Sequence, residues 1–215
     1  MIEKNDVIFI SPTELELKPL YNTLKKFHIP HYVCGIGLVS SAFFLTRLLA
    51  STNYRLVILA GIGGIYKKFE SDFDKLFLAQ SEILADFARC SEDEIESIKI
   101  PDLEIEQYFS LKHHLTKYLS RLSDDFMPVD MATVSCASAS FKRASIVQKR
   151  YDVVIENMEG ASVAYVCKKF QVGLIELRSV SNIAGERNKA LWQIDNALKR
   201  LTKGVELLLT SLENG

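Results

Sequence analysis

The sequence of 215 residues lacks the features that mark secreted, disulfide-bonded or nucleic-acid-binding proteins. It has only four cysteines, at positions 34, 90, 136 and 167, and none of them has Cys-x-x-Cys spacing. Thiols so few and so far apart are typical of a reduced cytosolic protein with buried cysteines. The 26 basic and 27 acidic residues nearly cancel, so the charge pattern favours neither nucleic acid nor an anionic membrane as a partner.

Long hydrophobic runs are missing as well. The longest apolar stretch, 56–65, is too short and too rich in glycine to cross a bilayer, and the polar segment 1–6 does not resemble a signal peptide. What is present is a balanced composition, 48% hydrophobic and 25% charged, which is sufficient to bury a core. We therefore expect one globular domain over residues 1–215, located in the cytoplasm.

Short apolar runs alternate along the chain with segments of helical periodicity. The predicted strands are 7–10, 32–36, 55–60, 126–134, 153–156 and 173–177, and the predicted helices are 14–27, 40–49, 141–149, 160–170 and 189–212. This alternation predicts an α/β fold, a three-layer αβα sandwich around a mostly parallel, twisted sheet. The acidic segment 78–110 is predicted only as strand and loop, and it is a candidate for covering a substrate.

Glycine is concentrated after the third predicted strand, in Gly61-Ile62-Gly63-Gly64. A glycine-rich turn at the carboxyl end of a parallel strand lets backbone amides approach a ligand closely. It is not a dinucleotide fingerprint, because Tyr66 stands where the third glycine is required, and it lacks the Gly-Lys-Ser/Thr ending of a P-loop. By itself the motif is equally well explained as a tight turn.

Two further polar clusters follow predicted strands, at 156–160 and 178–182. One glutamate before a helix is explained by the helix dipole, but a second one beside Met158 indicates another role, such as gripping paired hydroxyl groups. Arg178 is expected to extend from its strand tip into the crevice that holds Glu159. Because such strand ends meet at one edge of a sheet, a ligand site is predicted there.

These motifs together resemble the signature of the nucleoside phosphorylase superfamily. Its specific part is Glu156-Asn157-Met158-Glu159-Gly160-Ala161 followed by Arg178-Ser179-Val180-Ser181-Asn182. Further matches occur in the same order at Pro12-Thr13-x-x-x-Glu16, Gly35-Ile36-Gly37 and Gly61-Ile62-Gly63-Gly64, so the resemblance covers nearly the whole chain. Within the superfamily, the Glu-Asn-Met-Glu-Gly and Ser-Asn-x-x-Gly-Glu-Arg-Asn forms are most similar to the futalosine hydrolases.

The resemblance implies a homodimeric purine nucleosidase without metal or cofactor, which hydrolyses futalosine to hypoxanthine and dehypoxanthinyl futalosine in menaquinone biosynthesis. It places Glu16 at the position of the water-activating carboxylate, with Glu14 as an alternative from the same turn. Glu159 is expected to accept hydrogen bonds from the ribose hydroxyls, Met158 to pack against the sugar, and Arg178 to balance charge. The remaining expected substrate contacts are Ser181, Ile62, Gly63 and Gly64.

Asn182 is the residue expected to select the purine. Its amide can donate to O6 and accept from a protonated N7, which favours a 6-oxopurine, whereas adenine-releasing relatives carry Asp at this position. One alternative is a nucleosidase for methylthioadenosine, S-adenosylhomocysteine or aminofutalosine, which the chain would be if Asn182 stood in for a natural Asp. The other is a catalytically silent nucleoside-binding module.

Water is favoured over phosphate as the nucleophile. Phosphorolysis needs a pocket for a dianion, built from arginines or stacked amides. The turns 11–13 and 62–66 contain neither Arg nor Lys. The sequence therefore predicts hydrolysis.

Overall fold

The computed structural model describes residues 6–99, 101, 105–119 and 124–213. The strands are β1 (Val7–Ser11), β2 (His31–Val33), β3 (Leu56–Ile65), β4 (Leu76–Leu84), β5 (Arg89–Cys90), β6 (Ile95–Glu96), β7 (Tyr108–Ser110), β8 (Phe126–Thr133), β9 (Ile155–Asn157) and β10 (Gly173–Ile183). The α-helices are α1 (Glu14–Leu17), α2 (Tyr21–Lys26), α3 (Gly37–Ala50), α4 (Lys112–Tyr118), α5 (Phe141–Tyr151), α6 (Gly160–Phe170) and α7 (Ile194–Glu213). Short 3₁₀ helices lie at Lys18–Leu20, Lys67–Asp72 and Lys189–Leu191.

The predicted α/β class is confirmed, but the prediction of a mostly parallel sheet is wrong. The sheet has the order β10-β4-β8-β9-β3-β1-β2, with β7 beside β4, and β10 also pairs with β3. Strands β3, β10, β4, β8 and β9 therefore close into a ring, in which the β3–β9 and β4–β10 pairs are antiparallel. Short β9 joins β8 to β3 in this ring, and the short strands β2 and β7 lie at the edges of the sheet.

Helices pack on both faces of this sheet, and the side chains of β1 show why. Val7 and Phe9 belong to the core formed with α1, α2 and α7, whereas Ile8 and Ile10 belong to the core formed with α3 and α6. Successive side chains of a strand point to opposite faces, so a strand covered on both faces is a continuous apolar run. The run at 7–10 is such a strand.

Several element bounds differ from those predicted. The predicted helix 14–27 is divided into α1, a 3₁₀ turn and α2, because Pro19 lacks the N–H that a helix interior requires. Helix α7 begins at Ile194 instead of residue 189. Strand β10 continues to Ile183, beyond the predicted end at residue 177, because Arg178, Ser179 and Ser181 are buried although they are polar. Those residues form part of the site described below.

The segment 78–110 contains the end of β4, the β5–β6 hairpin and β7, while residues 100 and 102–104 lie outside the described part. All four cysteines are free; Cys34 and Cys167 are buried as expected, but Cys90 and Cys136 are exposed, so the prediction is wrong for those two. Within the described residues, no group of three or more His, Cys, Asp or Glu side chains is arranged to hold a metal ion. No helix among them is long and apolar enough to span a membrane.

Candidate active site

The Glu16 side chain extends from α1 to the glycine-rich part of β3. Thr13 precedes α1 in extended conformation, and its hydroxyl oxygen accepts from the Glu16 amide at 3.3 Å, which caps the helix. The same hydroxyl donates to Glu16 Oε2 at 2.6 Å. Glu16 Oε1 accepts from the Ile62 amide at 2.9 Å, so the carboxylate is fixed between the turn after β1 and the glycine-rich part of β3.

This environment makes Glu16 a stronger base than an ordinary glutamate. Burial raises its pKa, and the hydrogen bonds from Thr13 and Ile62 and the charge of Arg178 only partly offset that rise. The structure does not bring the alternative residue, Glu14, into this cluster. Glu14 is exposed and accepts a hydrogen bond from the Tyr21 hydroxyl instead.

Gly61 is the point at which Glu16 and Arg178 come together. A Cβ atom at this position would lie 2.7 Å from Arg178 Nη1 and 2.8 Å from Glu16 Oε1. Both distances are shorter than real Cβ contacts, so any larger residue would push the two side chains apart. The glycine that follows the apolar run of β3 is thus required by the close approach of these side chains.

Glu159 lies immediately before α6 and is buried opposite Glu16 around the same arginine. Its Oε1 accepts from the Gly37 amide at 3.0 Å, and its Oε2 accepts from Nη1 and Nη2 of Arg178, each at 3.3 Å. Gly35 and Gly37 have φ of +87° and +81°, a conformation that glycine adopts without strain, and this turn presents the first amide of α3 to the carboxylate. Met158, beside Glu159 in the chain, is half-buried.

Arg178 is almost completely buried, and protein acceptors use all of its donors. Its Nε donates to Glu176 at 2.9 Å and its Nη1 to the Ile62 carbonyl at 3.3 Å; the remaining donors contact Glu159 and, at 3.4 Å, the Asn157 side-chain oxygen. A guanidinium has five N–H groups, and five contacts are made. Burial alone would lower the pKa of Arg178, but the carboxylates of Glu176 and Glu159 outweigh it and raise that pKa.

Asn182 and Ser181 lie at the far end of β10, against the glycines of β3. The Ser181 hydroxyl donates to Asn182 Oδ1 at 2.8 Å, and Asn182 Nδ2 donates to the Ile183 carbonyl at 3.1 Å. The strand register shifts between Val180 and Asn182, so that Asn182 pairs with Gly64. Such a bulge redirects side chains. These contacts engage one N–H and one lone pair of the Asn182 amide, and the amide has a second of each for a ligand.

The structure therefore brings most of the predicted site residues to one place. These are Glu16, Ile62, Gly63, Gly64, Glu159, Arg178, Ser181 and Asn182, and Met158 is known only as the half-buried neighbour of Glu159 in the chain. Glu156 is not part of this cluster, although the sequence pattern paired it with Glu159. Its carboxylate accepts from the Ser138 amide at 2.9 Å, the Ser138 hydroxyl at 2.6 Å and the Tyr66 hydroxyl at 3.1 Å.

The sequence analysis did not identify the buried polar residues that lie beneath the site. Glu82 and Glu176 are fully buried there, and Thr133 and Asn157 each donate to Glu82 at 2.6 Å. The available signal was a glutamate beside apolar residues in each strand, Glu82 before Ile83 in β4 and Glu176 between Ile175 and Leu177 in β10. An isolated acid in a buried strand requires a partner, and this chain supplies the partner from a distant segment.

Comparison with known proteins agrees with the geometry. The profile of the phosphorylase superfamily matches residues 16–212. A futalosine hydrolase of Thermus thermophilus is 30% identical over 94% of both chains. The structure of a futalosine hydrolase mutant of Helicobacter pylori has a TM-score of 0.77 and 20% identity, with 97% of this chain and 98% of that chain covered.

A 5′-methylthioadenosine/S-adenosylhomocysteine nucleosidase from Helicobacter pylori, solved with butyl-thio-DADMe-Immucillin-A, also has a TM-score of 0.77, at 19% identity, with 95% of this chain and 97% of that chain covered. At such identities the two structural likenesses concern the fold. The profile match and the 30% identical relative span nearly the whole chain, and the profile match includes both acids and the arginine of the site. This chain belongs to the phosphorylase superfamily.

Proposed function

We propose that this chain is a purine nucleosidase, one catalytic domain over residues 1–215, that hydrolyses futalosine to hypoxanthine and dehypoxanthinyl futalosine without metal or cofactor. The observation that carries the proposal is the convergence of Glu16 and Glu159 on Arg178, with Asn182 across the glycines of β3. The names of the Thermus thermophilus relative and of the Helicobacter pylori structure support the substrate.

In this proposal Glu16 activates and orients the water. Cleavage of an N-ribosidic bond develops positive charge on the sugar, and a carboxylate of raised pKa beside it both accepts the water proton and stabilises that charge. Glu159 accepts hydrogen bonds from the ribose hydroxyls, and Met158 packs against the sugar. Arg178 holds Glu159 in place, because its own donors are all engaged by protein groups.

Asn182 is proposed to recognise the leaving base. The second N–H of its amide donates to O6 of hypoxanthine, and the second lone pair of its oxygen accepts from the protonated N7. The Ile183 carbonyl can only accept, so its contact with Asn182 Nδ2 fixes the orientation of the amide that this assignment requires. An exocyclic amine in place of O6 would meet a donor, so adenine is disfavoured.

The hydrogen bonds of the Arg178 guanidinium support water as the nucleophile. A phosphorylase must direct free donors or positive charge at inorganic phosphate. Arg178 has no free N–H among the described contacts, and the nearby segments 11–13 and 62–66 contain no other basic side chain. Phosphate is therefore not expected to be a substrate.

Adenine release from methylthioadenosine or aminofutalosine is the second candidate, favoured by the likeness to the Helicobacter pylori nucleosidase and opposed by Asn182. The test is incubation of the purified protein with futalosine, aminofutalosine and methylthioadenosine, with and without phosphate, followed by chromatography. We expect hypoxanthine and free sugar from futalosine at a rate that phosphate does not change. Faster adenine release would establish the second candidate, and binding of futalosine without base release would indicate a nucleoside-binding module.

We also propose that the enzyme is a cytoplasmic homodimer, joined through the exposed apolar residues of β2 and the start of α3. This patch contains Val33, Ile36, Val39 and Phe43, of which Val39 is 84% exposed. Contiguous apolar surface on a soluble domain commonly marks an interface, and a second copy of the chain is the simplest occupant. Light scattering is expected to give twice the chain mass, and Val39→Asp to reduce it to one chain; a monomeric wild type would reject the proposal.

A further inference from the structure

Two buried glutamates, Glu82 on β4 and Glu176 on β10, lie directly beneath the sugar end of the site. Neither side chain has measurable solvent exposure. Glu176 Oε1 accepts from Arg178 Nε at 2.9 Å, while its Oε2 is buried without a hydrogen-bond partner among the described residues. That second oxygen lies beside Glu82, since a Cβ atom at Gly160 would be 2.6 Å from Glu176 Oε2 and closer still to Glu82 Oε1.

Two carboxyl groups buried side by side require a proton on one of them, because two carboxylates only repel and a proton between them allows a hydrogen bond. Glu82 is the group that carries it, since Glu176 is ion-paired with the guanidinium of Arg178. Burial and the neighbouring Glu176 raise the pKa of Glu82 well above its usual range, although Thr133, Asn157 and Arg178 act in the opposite direction. A proton on Glu82 also satisfies Glu176 Oε2, the buried oxygen that otherwise lacks a donor.

Two chains of hydrogen bonds run from this pair to Glu159. On one side, Glu82 accepts from Asn157 Nδ2 at 2.6 Å, and Asn157 Oδ1 accepts from the backbone amide of Glu159 at 3.0 Å and from that of Gly160 at 2.8 Å. On the other side, Glu176 fixes Nε of Arg178, whose two Nη atoms contact the Glu159 carboxylate. The backbone and the side chain of Glu159 are thus held from the same buried pair.

We propose that Glu82 and Glu176 share one buried proton and act as a positioning pair, which fixes Glu159 for its contact with the ribose hydroxyls. The role at the sugar rests on the proposed function; the shared proton does not. Neither glutamate contacts the substrate. Both act through Asn157 and Arg178, and their effect on turnover passes through Glu159.

The proton is tested first, by infrared spectroscopy and without any substrate. At about pH 8 an ordinary glutamate is ionised, so the C=O stretch of a protonated carboxylic acid reports buried acids alone. We expect this band in the difference spectrum of wild type minus Glu82→Gln, because the amide removes the acid. The control Glu206→Gln, at an exposed position on α7, is expected to leave the band intact. Absence of the band from wild type would overturn the shared proton.

The positioning role is tested by kinetics with futalosine. Glu176→Gln keeps an acceptor for Arg178 Nε and an N–H for Glu82, so kcat/KM is expected to stay within about 3-fold of wild type. Glu176→Leu removes both contacts, and a loss of about 10²-fold is expected, comparable to misplacing a reacting group by about 1 Å. The variant is expected to remain folded, with a circular dichroism spectrum that matches that of wild type.

The double variant Glu176→Leu/Glu159→Gln separates positioning from general destabilisation. Residues that act through one another have non-additive effects, so the double variant is expected to be no more than about 3-fold slower than Glu159→Gln alone. Losses that multiply would overturn the positioning role, as would equal losses in Glu176→Gln and Glu176→Leu. If wild type releases no hypoxanthine at all, the proposed function fails, while the infrared result still decides whether the pair shares a proton.

Discussion

Replacement of Glu16 by glutamine tests the chemistry with little disturbance of the structure. The carbonyl oxygen of the glutamine side chain can accept from the Ile62 amide as Oε1 does now, and its NH₂ group can donate to the Thr13 hydroxyl, which now donates to Oε2. Both buried polar atoms of the new side chain therefore keep partners. What disappears is the ability to take a proton.

The expected magnitude follows from that single loss. A positioned general base contributes about 10² to 10⁴ in rate, so kcat for futalosine is expected to fall by at least about 10²-fold. The free energy of unfolding, in contrast, is expected to rise. Because burial raises the folded-state pKa of Glu16, its ionised form costs stability at every pH above that pKa, and the neutral amide removes this cost.

The assay is chromatographic measurement of hypoxanthine, with thermal unfolding at neutral pH measured on the same preparations. Glu14→Gln is the matched control, since it changes the same residue type one half-turn away at an exposed position and keeps the acceptor for Tyr21. We expect Glu14→Gln to retain activity within about 2-fold, as surface substitutions usually do. Unchanged turnover in Glu16→Gln, or a larger loss in Glu14→Gln, would refute the assignment of the base.

Three further predictions follow from the same contacts. If Glu16 is the base, kcat/KM is expected to fall as the pH drops through its raised pKa. Thr13→Ala removes a hydrogen bond that lowers this pKa, so the acid limb of the pH profile is expected to move to higher pH, whereas an unmoved limb would contradict the contact. Gly61→Ala places a Cβ 2.7 Å from Arg178 Nη1 and 2.8 Å from Glu16 Oε1, both held by hydrogen bonds, and is expected to lose about 1–3 kcal/mol of unfolding free energy and about 10²-fold in kcat/KM. Gly204→Ala is the control, because its Cβ would lie 2.8 Å from the flexible end of Leu76 and Ala is favoured over Gly inside a helix, so kcat/KM is expected to stay unchanged. Equal kinetics for the two variants would disprove the close approach. Asn182→Asp is expected to shift the ratio of hypoxanthine to adenine release toward adenine by about 10-fold or more, measured with futalosine and aminofutalosine in competition, and a constant ratio would remove Asn182 from base recognition.

The parts of the site that could be predicted from sequence are those set by short-range signals. Thr13 and Glu16 are three residues apart, the spacing at which an N-terminal cap and the first turn of a helix meet, so a helix start with an acid in it was readable. The apolar runs of β1 and β3 were readable for a similar reason. A strand buried on both faces needs no partner residues to be recognised.

The parts that could not be predicted depend on partners far away in the chain. Glu82 accepts a hydrogen bond from Asn157, 75 positions later, and no sequence pattern near either residue indicates the other. Arg178 and Ser179 looked like the end of a strand because they are polar, yet they continue β10, since Arg178 meets its acceptors inside the ring of strands. The ring is closed by pairing between β3 and β10, strands that are separated by about half of the sequence.

The contact between the Gly37 amide and Glu159 connects the carboxylate proposed to bind the sugar with a whole surface helix. Gly37 is the first residue of α3, so the 3.0 Å hydrogen bond to the carboxylate lengthens whenever that helix slides along its axis. A displacement of about 1 Å is enough to disturb catalysis. A compound that displaces α3 along its axis would therefore lower activity without occupying the nucleoside site, and added substrate would not reverse its effect.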